Sequence, residues 1–172
     1  MKLLWTFYKE NGERRMNEVF YDYYKSPIGY IELVSSETSI LRCNFVEKMD
    51  TPSKNMPSIL RDATKQIKRY FNGKLQEFDL KLEFLGTTFQ VKVWNELLKI
   101  PFGKTVTYKK LAERIGNKNA IRAVGSANGK NPISIIIPCH RVIGSKGDLR
   151  GYGGGIEKKK WLIAFEDSAI KR

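Results

Sequence analysis

Hydrophobic and polar residues alternate along the N-terminal part of the chain, a period typical of half-buried β-strands. Three such runs, at 19–24, 28–34 and 40–46, are separated by turn residues and predict an antiparallel meander. Apolar residues then recur at helical spacing over 58–72, so we expect an amphipathic helix that covers one face of the sheet. Residues 78–84 alternate again, as either a last strand or a connector.

Helical spacing replaces this alternation further along the chain and predicts a second, mainly helical domain. We place the two domains at 1–85 and 86–172, with 1–15 as a possible extension of the first. The first helix of the second domain is capped by Thr87 or Thr88, because either side chain can accept a hydrogen bond from the first helical turn.

Two short helices follow, and their spacing predicts a helix-turn-helix. Thr107 caps the first of them and Gly116 closes it. Asn119 is predicted to cap the second helix, which covers about 120–128.

One face of this second helix carries a single cation and otherwise very small side chains. Its members are Arg122, Gly125, Ser126 and Gly129. Such a face can press against a DNA backbone or a shallow groove, whereas reading base edges needs long polar side chains. Ile121 and Val124 are predicted to pack inward. The alternative, a small-residue face packed on another helix, would bury the Arg122 charge at high cost.

The only histidine of the chain directly follows a cysteine, and this pair is the strongest chemical signal in the sequence. Cys139 attacks as a thiolate, and His140 is the side chain best suited to take its proton near neutral pH. The apolar run 135–137 predicts a buried strand, which Pro138 ends just before the thiol. The plainer interpretation of such a pair is a buried cysteine beside a surface histidine.

A glycine-rich segment, 144–155, follows this pair and allows a close approach to a ligand. It lacks the Gly-Lys-Ser/Thr sequence of a phosphate-binding loop. The last helix, about 156–168, carries three lysines at 158–160 that are predicted to form a solvated basic face. Glu166 lies near the end of this helix, where the macrodipole disfavours an anion, so we expect it to have a cationic or N–H donor partner.

The net charge of the 172-residue chain is +13, and it is concentrated in the second domain. Residues 1–85 carry 14 Lys and Arg against 12 Asp and Glu, whereas residues 86–172 carry 17 against 6. This asymmetry favours a polyanionic partner, of which nucleic acid is the commonest.

Cysteine and histidine content limits the chemistry further. With Cys43, Cys139 and one histidine, neither a disulfide scaffold nor a zinc site of the usual ligand set is expected. Cys43 falls in the third predicted strand and is expected to be a core residue. No apolar run reaches membrane-spanning length and the N-terminus lacks a secretory signal, so we expect a soluble, cytoplasmic protein.

These observations together predict an α+β fold. A small N-terminal antiparallel sheet with a covering helix is followed by a mainly helical C-terminal domain. That domain contains the helix-turn-helix and a short active-site strand.

Several motifs of the second domain, in order, resemble the O6-alkylguanine-DNA alkyltransferases, also called methylated-DNA–protein-cysteine methyltransferases. The segment Ile137-Pro138-Cys139-His140-Arg141-Val142-Ile143 resembles their active-site signature. The resemblance covers 89–166, and 19–84 resembles the family's variable N-terminal domain. The accompanying motifs are 102–108, 122–125, 131–132 and 152–155.

The resemblance implies a direct repair reaction on double-stranded DNA. An alkylated guanine, mainly O6-methylguanine, is flipped out of the duplex, and its alkyl group moves irreversibly to the protein's own cysteine. Each molecule therefore acts once. No cofactor is implied, and a monomer is expected.

The same resemblance implies roles for catalytic residues. Cys139 is the acceptor, and His140 takes its proton through a water. Glu166 accepts from the other imidazole nitrogen and holds the tautomer, as in a hydrolase triad. Asn131 ties the helix-turn-helix to the active-site strand, and Tyr108 crowds the phosphate and donates toward guanine N3.

The remaining implied roles concern DNA and the base pocket. Arg122 fills the gap left by the extruded base. The carbonyls of Cys139 and Val142 accept from the exocyclic amine, and Lys159 assists Tyr108. The N–H of Gly153, which stands where the family often has Ser or Ala, donates to the alkylated oxygen. Tyr152 walls the pocket. Further contacts to DNA are expected from Ala123, Gly125, Ser126, Asn128 and Gly129.

Human-type members of the family hold a structural zinc in the N-terminal domain. In this chain that domain has Cys43 and no histidine, so no zinc is expected.

Two other functions account for part of the sequence. A DNA-binding module without chemistry explains the charge and the helices but leaves Cys139, His140 and Glu166 without a role. A cysteine hydrolase explains the Cys-His pair but not the charge asymmetry or the helix that carries Arg122.

Overall fold

The structure is a computed structural model that describes residues 5–10 and 13–171. The chain divides between Leu85 and Gly86 into two compact units, each with its own core. Within the described part of the chain, no helix has the length and apolar character needed to cross a membrane.

The first unit contains the expected antiparallel meander. Its strands are β3 (Phe20–Ser26), β4 (Gly29–Ser35) and β5 (Ile40–Val46), hydrogen-bonded in the order β3-β4-β5. Leu33 lies opposite Cys43 in the register, and both side chains are fully buried. The prediction that Cys43 is a core residue is therefore confirmed.

One helix, α1 (Ser58–Phe71), covers this sheet as its spacing predicted. The helix ends at Asn72, and Gly73 follows in the left-handed region with φ 69°. Its buried side chains are Leu60, Ala63, Ile67, Tyr70 and Phe71.

Two segments of the first unit were left open by the sequence. The possible N-terminal extension contains two strands, β1 (Trp5–Glu10) and β2 (Glu13–Glu18), paired antiparallel. Residues 1–4 and 11–12 lie outside the described residues. The segment 78–84 is a connector, with one isolated parallel bridge between Leu82 and Ile40.

The second unit begins with α2 (Thr88–Leu98), and Thr87 is its cap. The Thr87 side chain accepts from the Gln90 N–H, and the Gln90 side chain accepts from the Thr87 N–H, which completes a capping box. Trp94 in this helix is buried, and its indole N–H donates to the Ala127 carbonyl at 2.9 Å.

The helix-turn-helix consists of α3 (Tyr108–Arg114) and α4 (Ile121–Gly129). Thr107 caps α3 by accepting from the Lys110 N–H, and Gly116 turns the chain with φ 81°. Both features were predicted.

Two details of α4 differ from the sequence prediction. Asn119 does not cap it, since Ala120 stands at the cap position and no side chain among the described residues caps the helix. The Asn119 N–H instead donates to the side chain of Asn117 within the turn. Val124 packs inward, but Ile121 is 40% exposed.

The apolar run before the cysteine is not the strand that was predicted there. It is a buried turn, in which the Ile137 N–H donates to the Ile133 carbonyl at 2.9 Å and Ile135 adopts φ 73°. A short 3-10 helix, Cys139–Arg141, follows. The short strand comes next, as β7 (Val142–Ile143), which pairs in parallel with β6 (Val106–Thr107).

The last helix is α5 (Ile156–Ile170). Its buried face consists of Lys159, Leu162 and Glu166, spaced by one and two turns. The prediction of a solvated face for the three lysines is therefore wrong for Lys159, which has no exposed surface.

Candidate active site

Cys139 begins the 3-10 helix, and its side chain is held by an amide. The residue is 2% exposed, and Asn131 Nδ2 lies 3.0 Å from its Sγ. The same Nδ2 donates to the Ile137 carbonyl at 2.8 Å, while Asn131 Oδ1 accepts from the Ile133 N–H at 3.0 Å. Asn131 thus replaces the partner strand that the run 135–137 lacks.

His140 is fully buried next to the thiol-bearing residue. Its Nε2 lies 2.9 Å from Glu166 Oε1. Because a carboxylate only accepts, Nε2 carries the proton of the neutral ring and Nδ1 is left as the basic atom. Nδ1 is buried and has no hydrogen-bond partner among the described residues. Burial lowers the pKa of His140, against the opposing effect of Glu166, so the ring is neutral at rest.

Glu166 has the donors that its position on the helix led us to expect. Arg141 Nε donates to Oε2 and Arg141 Nη2 to Oε1, both at 2.9 Å, and the Gly103 N–H donates to Oε2 at 2.9 Å. Burial alone would raise the pKa of Glu166. The hydrogen bonds and charges of His140 and Arg141 outweigh that effect and lower it to about 2.

Arg141 was not assigned a role from the sequence. It is 6% exposed, its Nη1 donates to the Ile100 carbonyl at 2.6 Å, and its guanidinium lies 5.7 Å from the centre of the Phe102 ring. The sequence did indicate that Glu166, near the end of its helix, needs a cationic or N–H donor partner. The sequence does not show which of the many basic residues is that partner.

The thiol itself is protonated at rest. Burial raises the pKa of Cys139 to about 11, although the hydrogen bond from Asn131 and the charge of Lys159 favour the thiolate. Because the thiolate is the nucleophilic form, this thiol can attack only after it loses its proton.

Tyr108 and Lys159 form a second cluster, centred on one backbone carbonyl. Tyr108 donates to the Arg150 carbonyl at 2.7 Å, and Lys159 Nζ donates to the same oxygen at 2.5 Å. Lys159 Nζ also lies 3.4 Å from the Tyr108 hydroxyl. Burial raises the pKa of Tyr108 to about 12 and lowers that of Lys159 to about 8.

The residues predicted to wall a base pocket occupy β7 and the glycine-rich segment. Val142 is fully buried. Tyr152 is 7% exposed and lies edge-on to His140, with 6.4 Å between ring centres. Gly153 is exposed, and a Cβ there would lie 3.6 Å from the Gly129 carbonyl oxygen at the end of α4.

Most of the residues predicted to contact DNA lie on an accessible side of α4. Arg122, Ala123, Ser126 and Gly129 are exposed, and Gly125 is partly exposed against the Tyr108 ring. The prediction that Asn128 contacts DNA is wrong, because this residue is 1% exposed and its side chain points to backbone carbonyls. Within residues 5–10 and 13–171, no three His, Cys, Asp or Glu side chains group as metal ligands.

Family models match both units of the chain. Residues 19–84 match the ribonuclease-like domain of 6-O-methylguanine DNA methyltransferase, and residues 88–168 match its DNA binding domain. A methylated-DNA–protein-cysteine methyltransferase of Methanosarcina barkeri is 44% identical over 158 residues, which cover 89% of this chain and 100% of that relative.

Solved structures agree with these matches. The crystal structure of Mycobacterium tuberculosis O6-methylguanine methyltransferase superposes with a TM-score of 0.79 at 44% identity, covering 88% of this chain and 94% of that one. The Mycobacterium tuberculosis protein in complex with DNA matches with the same TM-score and identity, covering 87% and 93%. The α+β fold expected from the sequence is confirmed. The chain belongs to the 6-O-methylguanine DNA methyltransferase family.

Proposed function

We propose that this protein repairs DNA directly by removing the alkyl group from O6-alkylguanine, mainly O6-methylguanine, and keeping it on Cys139. The observation that carries the proposal is the buried chain of contacts around the thiol. Asn131 Nδ2 holds Sγ, and His140, the next residue along the chain, is bonded through Nε2 to an ionised Glu166. Family membership supplies the substrate class.

The proposed chemistry is a displacement at the alkyl carbon. The Cys139 thiol gives its proton to Nδ1 of His140, through a water, and the resulting imidazolium is stabilised by Glu166. The Sγ–carbon bond then forms as the carbon–O6 bond breaks, and the electron pair stays on guanine. Guanine takes a proton from the Tyr108 hydroxyl. Lys159 can then give a proton back to Tyr108, because its Nζ lies 3.4 Å from that hydroxyl.

The product is a thioether, and no described side chain is placed to remove its alkyl group. The reaction is therefore irreversible and each molecule acts once. This stoichiometry separates the proposal from a cysteine hydrolase, which would turn over many substrates.

We assign recognition of double-stranded DNA to α4. Arg122 projects from an exposed face that is otherwise formed by very small side chains, so the backbone can come close to the duplex. Arg122 is proposed to fill the space of the extruded base. The other contacts are assigned to Ala123, Gly125, Ser126 and Gly129.

The pocket for the extruded base is assigned to backbone groups as well as side chains. The carbonyls of Cys139 and Val142 would accept from the exocyclic amine, and the N–H of Gly153 would donate to the alkylated oxygen. Tyr152 would form a wall. All these groups come from one chain, so we propose that the protein acts as a monomer. We also propose a cytoplasmic location.

The test is the intact mass of the protein after incubation with duplex DNA that contains one O6-methylguanine. We expect a gain of one methyl group per molecule, on Cys139, with matching loss of activity in a second round. Cys139→Ala should gain nothing, whereas Cys43→Ala should react like the unmodified protein. Methyl on Cys43, no mass change, or removal of many equivalents per molecule would reject the proposal.

A further inference from the structure

The last turn of α4 carries a polar side chain that faces the protein interior. Asn128 is 1% exposed, and its Nδ2 lies 3.2 Å from the Cys139 carbonyl oxygen and 3.3 Å from the Gly151 carbonyl oxygen. One amide therefore joins the DNA-binding helix to the backbone of the nucleophile and to the glycine-rich segment 144–155.

The orientation of this amide is fixed by its neighbours. The two hydrogen bonds of Nδ2 are to carbonyl oxygens, which only accept, so the NH2 group must face them. The same side chain also interacts with the Tyr108 hydroxyl. Asn128 Oδ1 is buried and has no hydrogen-bond partner among the described residues. A side chain without donors, or one carrying a negative charge, would leave the two carbonyl oxygens unpaired or repelled.

The backbones that this amide joins already lie close together. A Cβ on Gly153 would lie 3.6 Å from the Gly129 carbonyl oxygen, and a Cβ on Gly129 would lie 4.0 Å from the Gly151 carbonyl oxygen. A small shift of the glycine-rich segment relative to α4 would therefore change the position of every group that the pocket takes from that segment.

We propose that Asn128 is a positioning residue that fixes the Cys139 carbonyl and the glycine-rich segment to the end of α4. The inference rests on the proposed function, because the Cys139 carbonyl is the acceptor assigned there to the guanine amine. By binding one side of that oxygen, Asn128 directs its other lone pair toward the extruded base. The pocket for the base then keeps a fixed position relative to the DNA bound on α4.

The experiment uses Asn128→Asp, which has nearly the volume of asparagine, and Asn128→Leu, which keeps its branched shape without its donors. The controls are Asn55→Leu and Asn55→Asp at an exposed position of the first unit. Two quantities are measured. The first is the rate of single-turnover methyl transfer from duplex DNA that contains O6-methylguanine, and the second is the affinity for the same duplex without damage. We expect both Asn128 variants to transfer methyl at least about ten-fold more slowly, because two hydrogen bonds are lost. Binding of undamaged DNA should stay within about two-fold, and the Asn55 variants should match the unmodified protein.

A pH series separates positioning from mere loss of structure. A protonated aspartic acid can donate one hydrogen bond, so the rate of Asn128→Asp relative to the unmodified protein should rise as the pH falls from about 8 to about 6. The relative rate of Asn128→Leu should not change with pH. A flat ratio for Asn128→Asp would overturn the inference.

Other outcomes are equally decisive. The inference is overturned if either Asn128 variant transfers methyl at the unmodified rate. It is also overturned if transfer and binding to undamaged DNA weaken equally, because Asn128 would then be a DNA contact. If neither variant folds, the side-chain NH2 of Asn128 in the unmodified protein should still show slow hydrogen exchange by NMR, and fast exchange would reject the role. Failure of the unmodified protein to take up methyl would instead reject the proposed function.

Discussion

At the scale of single residues, the site depends on a carboxylate that remains ionised although it is 1% exposed. Glu166 is charged because Arg141, His140 and the Gly103 N–H all donate to it. Its charge in turn fixes the tautomer of His140, and in the proposed reaction it would stabilise the imidazolium that forms when the thiol loses its proton. The Glu166 carboxylate and the His140 ring thus act together, and a neutral side chain at position 166 cannot replace the carboxylate.

Glu166→Gln removes this charge with almost no change of volume. We expect methyl transfer to slow by about 100-fold or more, since the imidazolium loses its counter-charge. The free energy of unfolding near pH 7 should fall by about 3–5 kcal/mol, because Arg141 is left as a buried cation without its carboxylate. Single-turnover kinetics and denaturant unfolding measure the two effects, and a variant that reacts at the unmodified rate would contradict the assignment.

The same residue makes stability depend on acidity. The pKa of Glu166 is lowered from 4.5 to about 2 in the folded protein. A lowered carboxyl pKa contributes stability that is complete above the unfolded value and is lost as pH falls toward the folded value. Unfolding experiments should therefore show a loss between about pH 4.5 and pH 2 that Glu166→Gln lacks. Parallel pH curves for the two proteins would contradict this expectation.

Much of the site could be predicted from residues alone, and Arg141 shows where this stops. Cys139 and His140 adjoin each other in the sequence, and the macrodipole of α5 indicated that Glu166 needs a donor. That Arg141 is one of its donors depends on the turn at 133–137, which comes just before the 3-10 helix that carries this arginine. Periodicity does not encode such a turn, so the sequence could not single out one arginine among many basic residues.

At the scale of elements, the start of α2 rests on a side-chain exchange between Thr87 and Gln90. The sequence allowed Thr87 or Thr88 as the cap, and the two differ sharply in the structure. Thr87→Ala should lower the free energy of unfolding by about 1 kcal/mol, whereas Thr88→Ala should cost clearly less. Chemical denaturation of both variants provides the comparison, and equal losses would argue against the capping box.

The turn 131–137 should respond to alkylation of the thiol. Cys139 Sγ is buried and lies 3.0 Å from Asn131 Nδ2, so we expect an added methyl group to displace that amide. Asn131 also bonds both ends of the turn, at Ile133 and Ile137. We expect the methylated protein to melt at a lower temperature, with faster hydrogen exchange of backbone amides over 131–137. An unchanged exchange rate there would show that the methyl group is accommodated without moving Asn131.

Elements with strong periodicity were predicted well, and those fixed by single side chains were not. The three strands of the meander, β3 to β5, follow alternation, and α1 follows helical spacing. The run 135–137 is as apolar as a buried strand, yet its N–H groups at Ile136 and Ile137 bond carbonyls within the turn, and Asn131 binds the Ile137 carbonyl. Asn119 has the right residue type for a cap, but the Asn117 side chain binds its N–H instead.

At the scale of the whole molecule, charge is divided between the two units. Residues 86–172 carry 17 Lys and Arg against 6 Asp and Glu, and residues 1–85 are close to balance at 14 against 12. Binding to DNA should therefore weaken steeply with salt, through the second unit alone.

Two matched lysine variants test this division. Lys118→Ala, in the turn between α3 and α4, should reduce the slope of log binding constant against log salt by about one. Lys54→Ala, exposed in the first unit, should leave the slope unchanged. Fluorescence anisotropy with undamaged duplex at several salt concentrations measures both, and equal slopes for the two variants would contradict the assignment.

The buried face of α5 has a consequence for how this chain can vary in length. Lys159 and Glu166 stand seven residues apart on one helix, and one serves the Tyr108 cluster while the other serves His140. Each residue of an α-helix turns the chain by about 100°. A single insertion or deletion between these positions would preserve the helix but rotate one of the two charges out of its place. This stretch can accept changes of residue type on its outer side, while its number of residues is fixed by the chemistry at both ends.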